Sequence, residues 1–327
     1  LMDIGVLGAG SWGTALSLVL SNNKHNVHLW SRSFNPKKNV KHFSHFSNIE
    51  IPKNVLLTSN INTPLKQNII LIALPSHLIS SILKDVKINL DSIIVNCSKG
   101  FDLKNNERLS TVISESIFKS SLENIVFLTG PSHAEEVIKK TPTTVIAAGE
   151  SNDNTKLIQE ILSNKYFRVY QNNDIIGAEV GAACKNVISI ASGICLGLGY
   201  GDNTIAALIS RGLQEIIRLG ISLGAKKETF YGLSGIGDLS VTAFSKFSRN
   251  RQFGKKIGEG LSLEKALDDI GMVVEGVNAT KSAYKLSKEH KINMPIVNEV
   301  YSILFDNKNP KLAINDLMDR KLTVETT

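Results

Sequence analysis

The sequence is short of several features that would point to particular functions. It has three cysteines, Cys97, Cys184 and Cys195. None forms a C-x-x-C pair, and an odd number argues against a disulfide framework. All three lie among apolar or small residues, so they are read as buried, reduced thiols in a cytoplasmic protein. No group of His, Cys, Asp or Glu has metal-ligand spacing, so no metal is expected. Lysine and arginine outnumber the acids, 37 to 30, for a formal charge of +7. The lysines are scattered, however, as at Lys37-Lys38, Lys139-Lys140, Lys226-Lys227 and Lys255-Lys256. Without a dense basic block and interleaved aromatics, nucleic acid is not an expected partner. The apolar run at 4–7 meets glycines at once, with no basic segment or cleavage site, so no secretory signal is expected. The longest apolar stretch, residues 187–198, is broken by Ser189, Ser192, Gly193 and Gly197. It is read as too short and too interrupted for membrane insertion.

What remains is an ordinary globular composition in a chain long enough for two domains: 327 residues, 42% of them hydrophobic. The first half alternates short β-branched runs with helical patterns. Strands are predicted at 3–7, 27–30, 55–58, 69–74, 93–96, 125–128, 144–147 and 167–170. Helices are predicted at 12–21, 77–83, 108–118 and 155–162. Several of the runs are almost wholly apolar, as a parallel sheet covered on both faces requires. From about Asp174 the β-branched runs stop. Helical patterns follow at 175–198, 204–223, 263–269, 276–290 and 295–304. The predicted fold is α/β: a doubly wound, mostly parallel sheet in residues 1–174, and an all-helical second domain in residues 175–327.

Residues 8–13 read Gly8-Ala9-Gly10-Ser11-Trp12-Gly13. A lone G-x-G-x-x-G is a weak signal, but this one follows a predicted strand and opens a predicted helix. Gly8 permits the tight turn, Gly10 lets backbone approach a pyrophosphate, and Gly13 lets helix and strand pack closely. The helix N-terminus then faces the phosphates. This is a Rossmann-type dinucleotide site, the alternative being a glycine-rich turn with no ligand. The second strand ends in Trp30-Ser31-Arg32-Ser33, with no acid to hold the ribose hydroxyls of NAD. Arg32 could pair with a 2′-phosphate, or be a plain surface arginine. The reading favours NADP(H), with NAD(H) tolerated.

Four later segments stand out. Ser98-Lys99-Gly100 places Lys99 at the carboxyl end of the sheet, where ligands bind in such folds. Gly130-Pro131-Ser132-His133-Ala134 also follows a strand. Residues 179–186, EVGAACKN, put Lys185 and Asn186 in a long helix among Ala182, Ala183 and Cys184. Desolvation there would pull a lysine toward neutrality. Residues 233–254, LSGIGDLSVTAFSKFSRNRQFG, join Asp238 to Ser248-Arg249-Asn250. Each has a plain alternative: Lys185 as surface charge, Asp238 as a helix N-cap, Arg249 and Arg251 as a surface cluster.

Together GAGSWGTAL, SKG, GPSHAEEV, EVGAACKNV, LSGIGDL, SRNRQFG and VVEGV resemble bacterial NAD(P)-dependent glycerol-3-phosphate dehydrogenases over nearly the whole chain. Ser98 stands where that family more often has threonine, and Ser245-Lys246-Phe247 is a variable stretch. The resemblance implies reversible reduction of dihydroxyacetone phosphate to sn-glycerol 3-phosphate, supplying glycerophospholipid synthesis. It implies Lys185 as general acid/base. Lys99, Gly130, Ser132, Lys185, Asp238, Ser248, Arg249 and Asn250 are implied as substrate contacts, with Thr242 assisting. Besides the glycines, cofactor contacts are implied at Ser11, Trp12, Arg32, Lys99, Ala134, Arg249, Val273 and Glu275. His133 occupies a position that is often aromatic in the family and is read as structural. Apolar helices in the second half are compatible with a homodimer. Two rivals remain open at this point: a β-hydroxyacid or 6-phosphogluconate dehydrogenase, and a sensor that binds NADP without turnover.

Overall fold

The structure, a computed structural model, describes residues 1–35, 41–84, 86–118 and 121–325. Its main sheet uses eight strands: β1 (Asp3–Leu7), β2 (Asn26–Trp30), β5 (Val55–Thr58), β6 (Ile69–Ile72), β7 (Ile93–Asn96), β8 (Ile125–Thr129), β9 (Thr143–Ala148) and β10 (Phe167–Asn172). A separate two-stranded hairpin holds β3 (His42–Phe43) and β4 (Phe46–Glu50). Strand order is β10-β9-β8-β7-β6-β1-β2-β5. All pairings are parallel except β8 with β9, where Thr129 lies opposite Ile146. Apolar residues such as Ile69–Ile72 are buried on both faces because helices cover both sides.

The order puts the ligand crevice in a definite place. From β1 the chain moves outward to β2 and β5, then returns to β6 on the other side of β1. This reversal is a topological switch point, and the crevice opens outside the carboxyl ends of the flanking strands. Leu7 pairs with Ile72, and Ile72 with Asn96. The loops carrying Gly8–Gly13, Ser76, Lys99 and Gly130 therefore emerge along one edge.

Beyond Asn172 the described chain is helical. Its axis is the Ile175–Gly197 helix, buried over nearly its whole length. This corrects the expectation drawn from residues 187–198: the helix has 23 residues and is long and apolar enough to cross a membrane, but 89% of the relevant window is buried inside the protein. It is a core helix. Its N-cap Asp174 accepts a bond from Gly177 N at 2.9 Å and binds Thr229 Oγ1 at 2.6 Å and Lys226 N at 2.9 Å. One turn on, buried Glu179 accepts bonds from Ser110 N at 2.8 Å, Ser110 Oγ at 2.6 Å and Arg108 Nη1 at 3.0 Å. Those bonds fix the helix against the sheet's crossover. Side chains at Gly193, Gly197, Gly254 or Gly258 would strike backbone of the facing helix. The Ile175–Gly197 and Arg249–Gly258 helices thus pack almost backbone to backbone.

Every predicted strand is present, with ends shifted by at most two residues. The hairpin and the helices Asn62–Leu65, Ala134–Val137, Asp238–Phe244, Arg249–Gly258 and Pro310–Met318 were not legible. The Arg249–Gly258 helix explains why: its sequence is RNRQFGKKIG, and its buried stripe is only Asn250, Phe253, Gly254 and Ile257. That pattern is too polar and too glycine-rich for periodicity to reveal.

Candidate active site

The glycine turn fits a dinucleotide on its own geometry. Gly8 has φ +109°, and its amide is held by Trp30 O at 3.1 Å. A side chain at Gly13 would collide with the Gly8 carbonyl, whereas one at Gly10 would meet no atom within 4 Å. Gly13 therefore closes strand on helix, and Gly10 faces open space. The Ser11–Asn22 helix begins there with Gly10 as N-cap and no side-chain cap. Its first amides have no intrahelical acceptors. Trp12 Nε1 is also buried without a partner. This is a cradle of donors suited to a pyrophosphate. Arg32 is exposed just beyond the end of β2.

At the same edge, three charged side chains meet from three elements. Asp238 is 1% exposed. It binds Lys99 Nζ at 2.7 Å through Oδ2 and accepts a bond from Lys185 Nζ through Oδ1. Thr129 Oγ1 lies 3.4 Å from Oδ2. Asp238 is the first residue of its helix, Asp238–Phe244, and Gly237 is the N-cap. Its carboxylate is therefore spent on the lysines and not on capping. Lys185 also donates to Thr242 Oγ1 at 2.6 Å, and that hydroxyl donates to Asp238 O at 2.6 Å. Two of the three ammonium protons are thus placed, and one is left for a ligand. Burial pushes the Lys185 pKa down to about 7; Asp238 opposes this and the Lys99 charge adds to it. Burial alone would raise the Asp238 carboxyl, but the two lysines override it and hold it below the ordinary range.

Lys99 Nζ also donates to Gly130 O at 3.3 Å, the carbonyl that accepts from Ser132 Oγ at 3.0 Å. Gly130 has φ +148°, and a side chain there would press on Val145. Asn250 is buried and uses both ends: Oδ1 accepts from Gly276 N at 2.9 Å, and Nδ2 donates to Asn186 Oδ1 at 2.9 Å. One Nδ2 proton remains. Arg249 is exposed at the helix start, its Nη1 bonded to Val273 O at 3.0 Å. Ser248 caps that helix through Arg251 N at 3.2 Å and contacts Ser189 Oγ at 3.0 Å, so its hydroxyl is committed inside the protein. Glu275 reaches across to the sheet and accepts from Ser76 Oγ at 2.8 Å. Burial pushes its carboxyl up, opposed by the Ser76 bonds. Ala134 is buried at the start of its short helix.

The structure thus joins Lys99, Gly130, Ser132, Lys185 and Asp238 directly, and separately pairs Arg249 with Val273, Asn250 with Asn186 and Gly276, and Glu275 with Ser76. Sequence reasoning did not name Ser76 or Thr129. Each follows or ends a strand at the carboxyl edge, which was the available signal. Among the described residues, no group of three or more His, Cys, Asp or Glu could hold a metal ion.

A doubly wound sheet with a glycine turn at its switch point, and a buried lysine presented by a helical half, define a dinucleotide-linked oxidoreductase. Two family models match the chain: NAD-dependent glycerol-3-phosphate dehydrogenase N-terminus over residues 3–155, and C-terminus over residues 174–315. The glycerol-3-phosphate dehydrogenase (NAD(P)+) of Thermoanaerobacter sp. (strain X514) is 45% identical over 325 residues, covering 98% of this chain and 97% of that one. That of Geobacillus thermodenitrificans is 45% identical over 328 residues, covering 97% and 95%. The crystal structure of glycerol-3-phosphate dehydrogenase from Coxiella burnetii matches with a TM-score of 0.92 at 35% identity, covering 98% of this chain and 99% of that one. The chain belongs to the NAD-dependent glycerol-3-phosphate dehydrogenase family.

Proposed function

We propose that the protein reversibly reduces dihydroxyacetone phosphate to sn-glycerol 3-phosphate with a nicotinamide cofactor. The observation that carries this is the Lys185 ammonium, held by Asp238 and Thr242 with one proton uncommitted, at the edge that also bears the glycine turn. When bound, the reduced nicotinamide supplies the hydride that the substrate's carbonyl carbon takes up. Lys185 gives a proton to the carbonyl oxygen in reduction and recovers one from the alcohol in oxidation. A pKa of about 7 lets both forms exist near neutral pH. Lys99, Gly130 and Ser132 orient the substrate around that oxygen. Both lysines charged against one Asp238 leave the centre one unit positive, which favours an anionic substrate. Arg249 and Asn250, at the N-terminus of the Arg249–Gly258 helix, are the phosphate clamp. Ser248 supports the clamp by capping that helix.

The cofactor is assigned to Gly8, Gly10, Ser11, Trp12 and Gly13 at the pyrophosphate, with Ala134, Val273 and Glu275 lining the cleft. The exposed Arg32 and the absence of an acid after β2 support a preference for NADP(H) over NAD(H). A division between residues 174 and 175 is supported by the end of the sheet at Asn172. Supply of glycerol 3-phosphate to phospholipid synthesis in the cytoplasm is the reading most consistent with three buried free thiols and this product. The test is spectrophotometric: purified protein should oxidise NADPH on addition of dihydroxyacetone phosphate. Oxidation with 2-hydroxy-3-oxopropionate but not with dihydroxyacetone phosphate would refute the assignment.

A further inference from the structure

His133 belongs to none of the roles above, and the structure gives it an unusual position. Its backbone is fixed: His133 O accepts from Glu136 N at 3.0 Å and Val137 N at 3.1 Å, so the residue caps the Ala134–Val137 helix. The ring approaches Phe247 of the helical half. It lies 6.0 Å from the Phe247 ring, tilted by 59°. Phe247 stands two residues before Arg249, so the pair bridges the Gly130–Ser132 loop and the segment leading into the clamp. The Nε2 atom of His133 is buried and has no hydrogen-bond partner. A buried ring nitrogen without a partner is costly, and such groups are usually satisfied by protein, water or a bound molecule.

The charges facing the ring are Lys185, Lys99, Glu135 and Asp238. Burial, then the two lysines, lower its pKa, while Glu135 and Asp238 oppose them. The neutral imidazole has one donor and one acceptor nitrogen, so it can bond a hydroxyl in either sense. On the reading above, Lys185 takes the carbonyl oxygen of dihydroxyacetone phosphate, and Arg249 and Asn250 take its phosphate. The terminal hydroxyl is the polar group left over. His133 is adjacent in sequence to Ser132 and within the field of both active-site lysines.

We propose that His133 is a substrate contact whose Nε2 hydrogen-bonds the terminal hydroxyl of bound dihydroxyacetone phosphate. The residue then distinguishes substrates by that hydroxyl, which replaces its sequence-based reading as structural. The proposal rests on the triose-phosphate assignment. Its test compares dihydroxyacetone phosphate with acetol phosphate, which carries a methyl group in place of the hydroxymethyl. In His133→Phe, which keeps an aromatic ring against Phe247, KM for dihydroxyacetone phosphate should rise about tenfold, the loss expected of one hydrogen bond. The KM or inhibition constant of acetol phosphate should stay within about twofold. His133→Gln, which retains a donor and an acceptor, should recover most of the loss. The ratio of the two constants does not depend on the fraction of folded protein, so partial misfolding does not mask the result. An equal loss on both compounds, or no change on either, would overturn the proposal. A wild-type protein inactive on dihydroxyacetone phosphate would instead refute the functional assignment itself.

Discussion

The two halves of the cleft are built by different means. The glycine turn is a backbone site made within six consecutive residues, and its specificity lies in what is missing: side chains at Gly8, Gly10 and Gly13. The lysine centre is a side-chain site, assembled from Lys99 after β7, Lys185 in the middle of a 23-residue helix, and Asp238 at the start of another. Lys185 lies 53 residues before Asp238 in sequence, and Lys99 lies 139 before it. The turn can hold a dinucleotide whatever the reaction. The lysine centre decides which reaction follows. Damage to the first should therefore appear as cofactor affinity, and damage to the second as turnover.

The largest effect should come from the side-chain site. Lys185→Met removes the proton donor and should lower kcat by about 10³-fold or more, while NADPH affinity, read by fluorescence titration, stays within about twofold. A parallel fall in both quantities would erase the distinction between the two halves.

Within the turn, two substitutions should separate packing from binding. Gly13→Ala drives a methyl group into the Gly8 carbonyl. It should cost roughly 2–4 kcal/mol in stability, seen as a lower midpoint of thermal unfolding. Gly10→Ala points into open space, so the midpoint should hold while the Kd for NADPH rises by about tenfold. The smallest effect is expected at Arg32. In Arg32→Ala the KM for NADPH should rise about fivefold, and that for NADH should not change, since an exposed ion pair contributes little. Equal changes for both cofactors would remove Arg32 from 2′-phosphate recognition.

The same contrast governs what the sequence reveals. The glycine turn is contiguous, and its context of strand and helix is local, so its residues announce both structure and ligand. The inner strands β6, β7 and β8 are legible because doubly buried strands must be almost wholly apolar. Lys185 shows a weaker signal, a lysine among Ala182, Ala183 and Cys184, and resemblance to a family was needed to assign it a role. Its bonds to Asp238 and Thr242 depend on how three elements pack, which no local pattern encodes. The same holds for Ser248, whose hydroxyl the fold commits to helix capping, and for Ser76, which meets Glu275 199 residues away. The Arg249–Gly258 helix stayed hidden because its burial rests on two glycines packed against another backbone.

Burial and two charged neighbours place the Lys185 proton where it can move in either direction near neutrality. The most direct test is the pH dependence of kcat/KM in both directions. A depressed lysine pKa means the protonated donor is present below about pH 7 and lost above it. Reduction of dihydroxyacetone phosphate should therefore fall as pH rises through about 7, and oxidation of glycerol 3-phosphate should rise through the same point. Rates flat across that range in both directions, or an inflection near the ordinary lysine value of about 10.4, would contradict the account.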